Sequence, residues 1–143
     1  MSATRRIEAA RHSQRGQAMV EFSLVILLFV GLVVALFDLG RGIYTYNGVS
    51  EAAREIARRT IVHPGTPLGQ SDQTKDTISA QRGLVPAMDD PTFACEDAAG
   101  QGLSECGSGN YVRVIVTAKY HPSSLLGLVP ELTLSSSSSM QIP

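Results

Sequence analysis

The residues whose types and spacing point to chemistry stand near the start of the chain. They are Arg15, Gly16, Gln17, Glu21 and Phe22, immediately ahead of a long apolar run. A basic head, a lone glycine and a carboxylate five residues after it form a cleavage signal rather than a catalytic group. In a secretory signal the apolar region comes first and a small-residue site follows, so cutting discards the apolar part. A cut after Gly16 would instead keep the whole apolar run in the product. On this reading the chain is the substrate of a peptide-bond hydrolysis. The alternative for residues 1–16 is a basic tail that is never removed.

The other reactive side chains do not assemble into a catalyst. Cys95 and Cys106 are the only two cysteines. An even count in an exported domain favours a disulfide, which would close a loop of about twelve residues and contribute roughly 3 kcal/mol on the chain-entropy model. A metal pair is the competing reading, although no histidine or third cysteine lies at ligand spacing. His63 and His121 each precede a proline and His12 lies in the basic head; none has a nucleophile or metal partner at a suggestive spacing. Asp89, Asp90, Glu96, Asp97 and Glu105 could offer oxygen ligands to calcium, without EF-hand spacing. No glycine-rich phosphate loop follows a strand. The expectation is a chain with no catalytic residue, no metal and no cofactor.

The elements that must position these residues begin with a membrane anchor. Residues 18–39 are apolar apart from Glu21, Ser23 and Asp38, and 22 residues at 1.5 Å each span about 33 Å, enough to cross a bilayer. Arg5, Arg6, Arg11 and Arg15 against Glu8 give the first sixteen residues a charge of +3, while the rest carries −4. Arginines flanking a first helix bias its orientation, so the head stays cytoplasmic and everything past about residue 40 lies outside. The asymmetry argues against nucleic acid, which would need the basic residues on the folded body.

Beyond Gly40, Arg41 and Gly42 the helix is expected to continue to about residue 61. Ile43, Tyr46, Val49, Ala53, Ile56, Ala57 and Thr60 recur at intervals of three and four as one apolar stripe, with Glu51, Arg54, Glu55, Arg58 and Arg59 mostly on other faces. His63-Pro64-Gly65 ends it. Gly40, Gly42 and Gly48 mark the expected bend or local melting point, since each costs up to about 1 kcal/mol of helix propensity. Asp38 and Arg41, three apart on one face, can pair at the membrane boundary or serve subunit contacts.

The remainder reads as a small body. A short helix is expected over residues 72–82, with Ser71 as its cap and Gly83 just past its end. Val112, Val114, Val116 and Ala118 alternate with Arg113, Ile115, Thr117 and Lys119, a strand over Tyr111–Tyr120 with one face suited to the helix stripe. A loop of about ten residues follows His121-Pro122. The serines at 135–139 could be a flexible tail, but Leu132, Leu134, Met140 and Ile142 bracket them in step and favour a polar strand pairing with 111–120. An isolated hairpin would be marginal, so a third strand near 84–94, or the helix, must support it.

Taken together, Gly16, Gln17, Glu21 and Phe22 before the apolar run, Asp38, Gly40 and Arg41 at its end, and Asn47, Ala52, Ala53, Arg54 and Ala57 beyond it resemble the type IV pilin superfamily, and within it the TadE-like pseudopilins of tight-adherence pilus systems. The resemblance implies an α+β, pilin-like fold in which a long N-terminal helix, half in the membrane and half amphipathic, packs on a small antiparallel sheet. It implies a leader over residues 1–16, the helix over 17–62, and an extracytoplasmic domain over 63–143. A membrane-embedded prepilin peptidase would cut after Gly16 and leave Gln17 as the new N-terminus. Glu21 would then gain from the helix dipole and from the freed amine of a neighbouring subunit; on position alone, a carboxylate that snorkels to the headgroups reads nearly as well. The implied partners are the membrane, the prepilin peptidase, other pilin and pseudopilin subunits and the pilus assembly platform. The implied role is a structural minor pilin for surface adhesion, held in the inner or cytoplasmic membrane until assembly. The rival readings are a membrane-tethered binding or adhesin module that never polymerises, and a membrane-anchored hydrolase, for which no active site is visible.

Overall fold

The computed structural model describes residues 3–122 and 130–143, with side chains described from Gly16 onward. The described elements are α1 (Ala3–Val62), α2 (Asp72–Leu84), β1 (Thr92–Glu96), β2 (Gly102–Leu103), β3 (Tyr111–Tyr120) and β4 (Leu132–Gln141). The chain divides into two compact units, residues 1–39 and 40–143.

The first unit is helix throughout its described length. It begins at Ala3, inside the segment set aside as a leader. Glu8, Ala9, Ala10 and the arginines are good helix formers, and neither proline nor glycine intervenes before Gly16. The side chains of the apolar run are exposed, and none of its most apolar window is buried against the chain. A helix that is apolar all round and left uncovered by its own protein presents its surface to lipid or to other helices. By length and composition this helix can cross a membrane.

The second unit packs the remainder of α1 on a four-stranded antiparallel sheet of order β2-β1-β3-β4. The core joins Val49, Ala52, Ala53, Ile56 and Ala57 of α1 to Val85, Met88 and the inward residues of β3. Strand β3 is the expected one: Val112, Val114, Val116 and Ala118 are all fully buried. Strand β4 pairs with β3 without interruption from Tyr111↔Gln141 to Tyr120↔Leu132, so the serines form a strand, with Ser138 opposite Val114 and Ser136 opposite Val116. Most of the expected loop between them falls on residues 123–129, outside the described residues. The third strand, β1, lies at the end of the range anticipated for it. The residues before it hold β3 differently: Asp89 N–H donates to Thr117 O at 2.9 Å and Lys119 N–H to Ala87 O at 3.1 Å.

Three expectations about the helices need correction. The buried stripe runs through Thr45, Val49, Ala52, Ala53, Ile56, Ala57 and Thr60, while Ile43 and Tyr46 are exposed. Gly42 sets this phase. A side-chain carbon on it would lie 3.6 Å from the Tyr120 ring, so 42, 45 and 49 face the sheet and 43 and 46 are turned about 100° away. Secondly, α1 is helical straight through Gly40, Gly42 and Gly48 rather than melting there. At Gly48 a side-chain carbon would lie 3.1 Å from Val85 Cγ2; the propensity cost of these two glycines is offset by close approach. Thirdly, α2 continues past Gly83 to Leu84. Its stop is Val85, extended at φ −108° and ψ 107°, because Pro86 excludes the helical region for the residue before it.

The ends that were anticipated follow from local chemistry. Helix α1 stops at Val62, ahead of His63-Pro64, with His63 N–H donating to Arg59 O at 2.9 Å. Ser71 caps α2: its Oγ accepts from Thr74 N–H at 3.3 Å and donates to His63 O at 2.6 Å, which ties the two helix ends together.

Candidate processing and assembly segment

Gly16, Gln17, Glu21 and Phe22 lie on the first described turns of exposed helix. Gln17 and Glu21 are four apart and share one face. Glu21 lies well inside α1, which begins at Ala3, so in the uncut chain the positive end of the helix dipole is elsewhere. A cut after Gly16 would create a new helix start one turn from the Glu21 carboxylate. Ser23 is satisfied within the helix, its Oγ donating to Met19 O at 2.8 Å, leaving Glu21 as the strongly polar group at this end of the apolar run.

A side-chain carbon at Gly16 would meet nothing within 4 Å among the described residues, and the same holds for Gly31 and Gly40. Among the described residues no contact requires glycine at these positions. Gly42 and Gly48 differ, each facing a side chain of the folded unit.

At the far end of the run Asp38 is buried and Arg41 exposed. Thr45 Oγ1 donates to Arg41 O at 3.0 Å, a bond that lets a buried hydroxyl sit on the helix without a partner from the sheet.

Residues 16–58 match the TadE-like protein family. The match opens on Gly16 and takes in Gln17, Glu21, Phe22, Asp38 and Arg41, and it closes within the part of α1 that lines the core. No curated protein and no solved structure matches the chain. That family is a structural one associated with tight-adherence pili, and the match covers 43 of the 143 residues.

The exposed face of the TadE-like segment carries an ion-pair cluster. Arg58 donates to both Glu55 oxygens at 2.8 and 2.9 Å, and Arg59 Nε to Glu55 Oε1 at 3.2 Å. The hydrogen bonds from Arg58 are the main cause that holds the Glu55 carboxyl below its ordinary value; partial burial opposes them, and Arg59 adds to them. The same contact raises Arg58.

Outside the TadE-like segment, Cys95 and Cys106 form a disulfide with Cα atoms 5.6 Å apart, fastening β1 to the segment after β2. The acidic residues that could have gathered around calcium are dispersed. Asp90 pairs with Arg82, Glu96 with Arg113 at 3.0 Å, and Asp89 accepts from Thr117 at 3.3 Å. Asp97 accepts from Ala99 and Gln101 N–H in its own turn. No group of three potential ligands occurs among the described residues. His121 Nε2 lies 3.0 Å from Glu131 Oε2, a pairing across the β3–β4 end that spacing along the chain gave no means of finding. The contact glycines 42 and 48 were likewise missed. Their one signal was the run of small residues at Gly48, Ala52, Ala53 and Ala57.

Proposed function

We propose that the chain is a structural minor pilin of the pseudopilin type, trimmed by a prepilin peptidase after Gly16 and then assembled into, or used to prime, a tight-adherence pilus that serves surface adhesion. The observation that carries the reading is the register of the TadE-like match, which opens on Gly16 and leaves the basic head outside. Residues 1–16 are the cytoplasmic leader, 17–62 the anchor and its amphipathic continuation, and 63–143 the extracytoplasmic domain. Gly16, Gln17, Glu21 and Phe22 serve processing. Glu21, Asp38 and Arg41 serve subunit contacts, with the Glu21 carboxylate neutralised by the freed amine of Gln17 on an adjacent subunit.

The uncovered apolar run supports this reading physically. In a filament core, helix-on-helix packing would replace lipid around the same side chains, and Gly31 and Gly40 would let neighbouring backbones approach. The partners are the membrane, the peptidase, other pilin and pseudopilin subunits and the assembly platform.

The decisive experiment is the intact mass of the protein extracted from membranes of cells that carry a prepilin peptidase. A chain beginning at Gln17 is expected. Gly16→Val should block trimming while insertion persists. A chain that keeps Met1 or Ser2 after assembly, or trimming that continues in the Gly16→Val variant, would overturn the processing assignment and favour a tethered module.

A further inference from the structure

The end of the folded unit at which the chain enters carries exposed apolar side chains that the core does not use. Ile43, Tyr44 and Tyr46 are 53%, 68% and 49% exposed. On the sheet, Tyr120 and Leu132 form the last cross-strand pair of β3 and β4, and Leu132 is 44% exposed. Gly42 brings the two groups to one level, because a side-chain carbon there would lie 3.6 Å from Tyr120 Cε1.

That level can be placed against a bilayer by the rise of the helix. Gly42 is three residues past Leu39, where the apolar run ends, or about 4.5 Å along the axis, and Tyr44 and Tyr46 follow at roughly 7.5 and 10 Å. The headgroup layer extends roughly 5–8 Å beyond the hydrocarbon on each side. Tyrosine rings, apolar in body and polar at the tip, favour this layer. Past Asn47 the character of the surface changes: the exposed residues of α1 are Glu51, Arg54, Arg58 and Arg59 until Val62 at its very end.

We propose that this end of the folded unit is a membrane dock, with Tyr44 and Leu132 seated among the lipid headgroups of the leaflet the helix leaves and Tyr46 at their outer edge. The inference rests on the single-span reading of residues 18–39. A bilayer is favoured over a protein partner because the exposed apolar side chains continue those of the span and give way to charge about one headgroup layer beyond it.

The chain contains no tryptophan, so single-tryptophan variants of the full chain report depth cleanly. Leu28→Trp, Tyr44→Trp, Leu132→Trp and Val62→Trp would be reconstituted in two sets of phosphatidylcholine vesicles, brominated either on the acyl carbons nearest the headgroup or near the chain end, with the disulfide confirmed in each. Leu28→Trp is expected to lose much of its emission in the chain-end set, and Tyr44→Trp and Leu132→Trp in the headgroup-side set, relative to unbrominated vesicles. Val62→Trp, twenty residues past Gly42 on the same helix and about 30 Å away along it, should lose little. If Leu28→Trp is quenched but Leu132→Trp behaves like Val62→Trp, the dock is refuted and the span stands. If Leu28→Trp is itself unquenched, the span fails and the dock with it. If Leu132→Trp is protected from both bromolipid and aqueous acrylamide, a second copy of the chain covers this end, which also refutes the dock.

Discussion

Gly69 and Phe93 approach so closely that a side-chain carbon on the glycine would lie 2.6 Å from the phenylalanine ring. Gly69 also has φ +80°, a conformation that residues with a Cβ rarely adopt. The contact presses the segment after α1 onto β1, beside the disulfide. Gly69→Ala should therefore destabilise the folded unit by about 1–3 kcal/mol through overpacking, with a further contribution from the backbone. Gly83→Ala is the control. That glycine lies inside α2 facing open space, so alanine there should stabilise by up to about 1 kcal/mol. Denaturant midpoints of the detergent-solubilised chain would register both, and equal midpoints for the two variants would contradict the packing assigned to Gly69.

The Cys95–Cys106 bridge closes a separation of 11 residues. Cys95→Ser combined with Cys106→Ser should lower stability by roughly 3 kcal/mol. In protein taken from its native compartment, alkylation without reduction should label neither cysteine. Two labelled thiols in that sample would refute the bridge.

Glu55 makes stability depend on acid. Because Arg58 chiefly holds its folded value below the ordinary one, the stabilisation is fully present above the unfolded value and is lost as pH falls through the lowered folded value. Glu55→Gln should cost a small amount of stability at neutral pH and nothing at a pH below that folded value. Unfolding curves of the two proteins at several pH values would test this. A gap between them that persists at the acid end would mean that Glu55 acts by packing rather than by charge.

Glu21→Ala separates assembly from anchoring. The change removes a carboxylate from the apolar segment, so insertion should become easier, by up to about 3 kcal/mol for a group near the midplane and less at this shallow depth. The variant should fractionate with membranes and remain trimmed, yet fail to cross-link to other pilus subunits. Wild-type cross-linking in the alanine variant would remove Glu21 from the assembly mechanism.

Legibility in the sequence tracked how strictly local chemistry dictates the backbone. Strand β3 could be read to the residue because Val112, Val114, Val116 and Ala118 keep a strict period of two and one face is buried. The start of α2 was equally clear from Ser71, whereas its end depended on Pro86 acting through Val85 rather than on Gly83. The phase of the α1 stripe was misread by one residue over its first turns. Series starting at 43 and at 42 both reach Val49 in steps of three and four, and only the ring of Tyr120, distant in sequence, selects Gly42. Strand β2, with two residues, carries no periodic signal; its place comes from pairing Cys95 with Leu103 and Glu96 with Gly102. The segment around Gly16 was legible as a pattern of residue types, and the fold adds nothing to it: among the described residues a side-chain carbon at Gly16 would meet nothing within 4 Å.

The continuity of α1 has a mechanical consequence. The same helix supplies the apolar run and then, without a break, the core residues Val49, Ala52, Ala53, Ile56 and Ala57. Tension drawn on the apolar run therefore reaches the core through the hydrogen-bonded backbone of a single helix. Extraction from a bilayer would pull the body as one piece, and the force at which side chains of α1 shear past β3 would set the strongest pull the subunit can transmit.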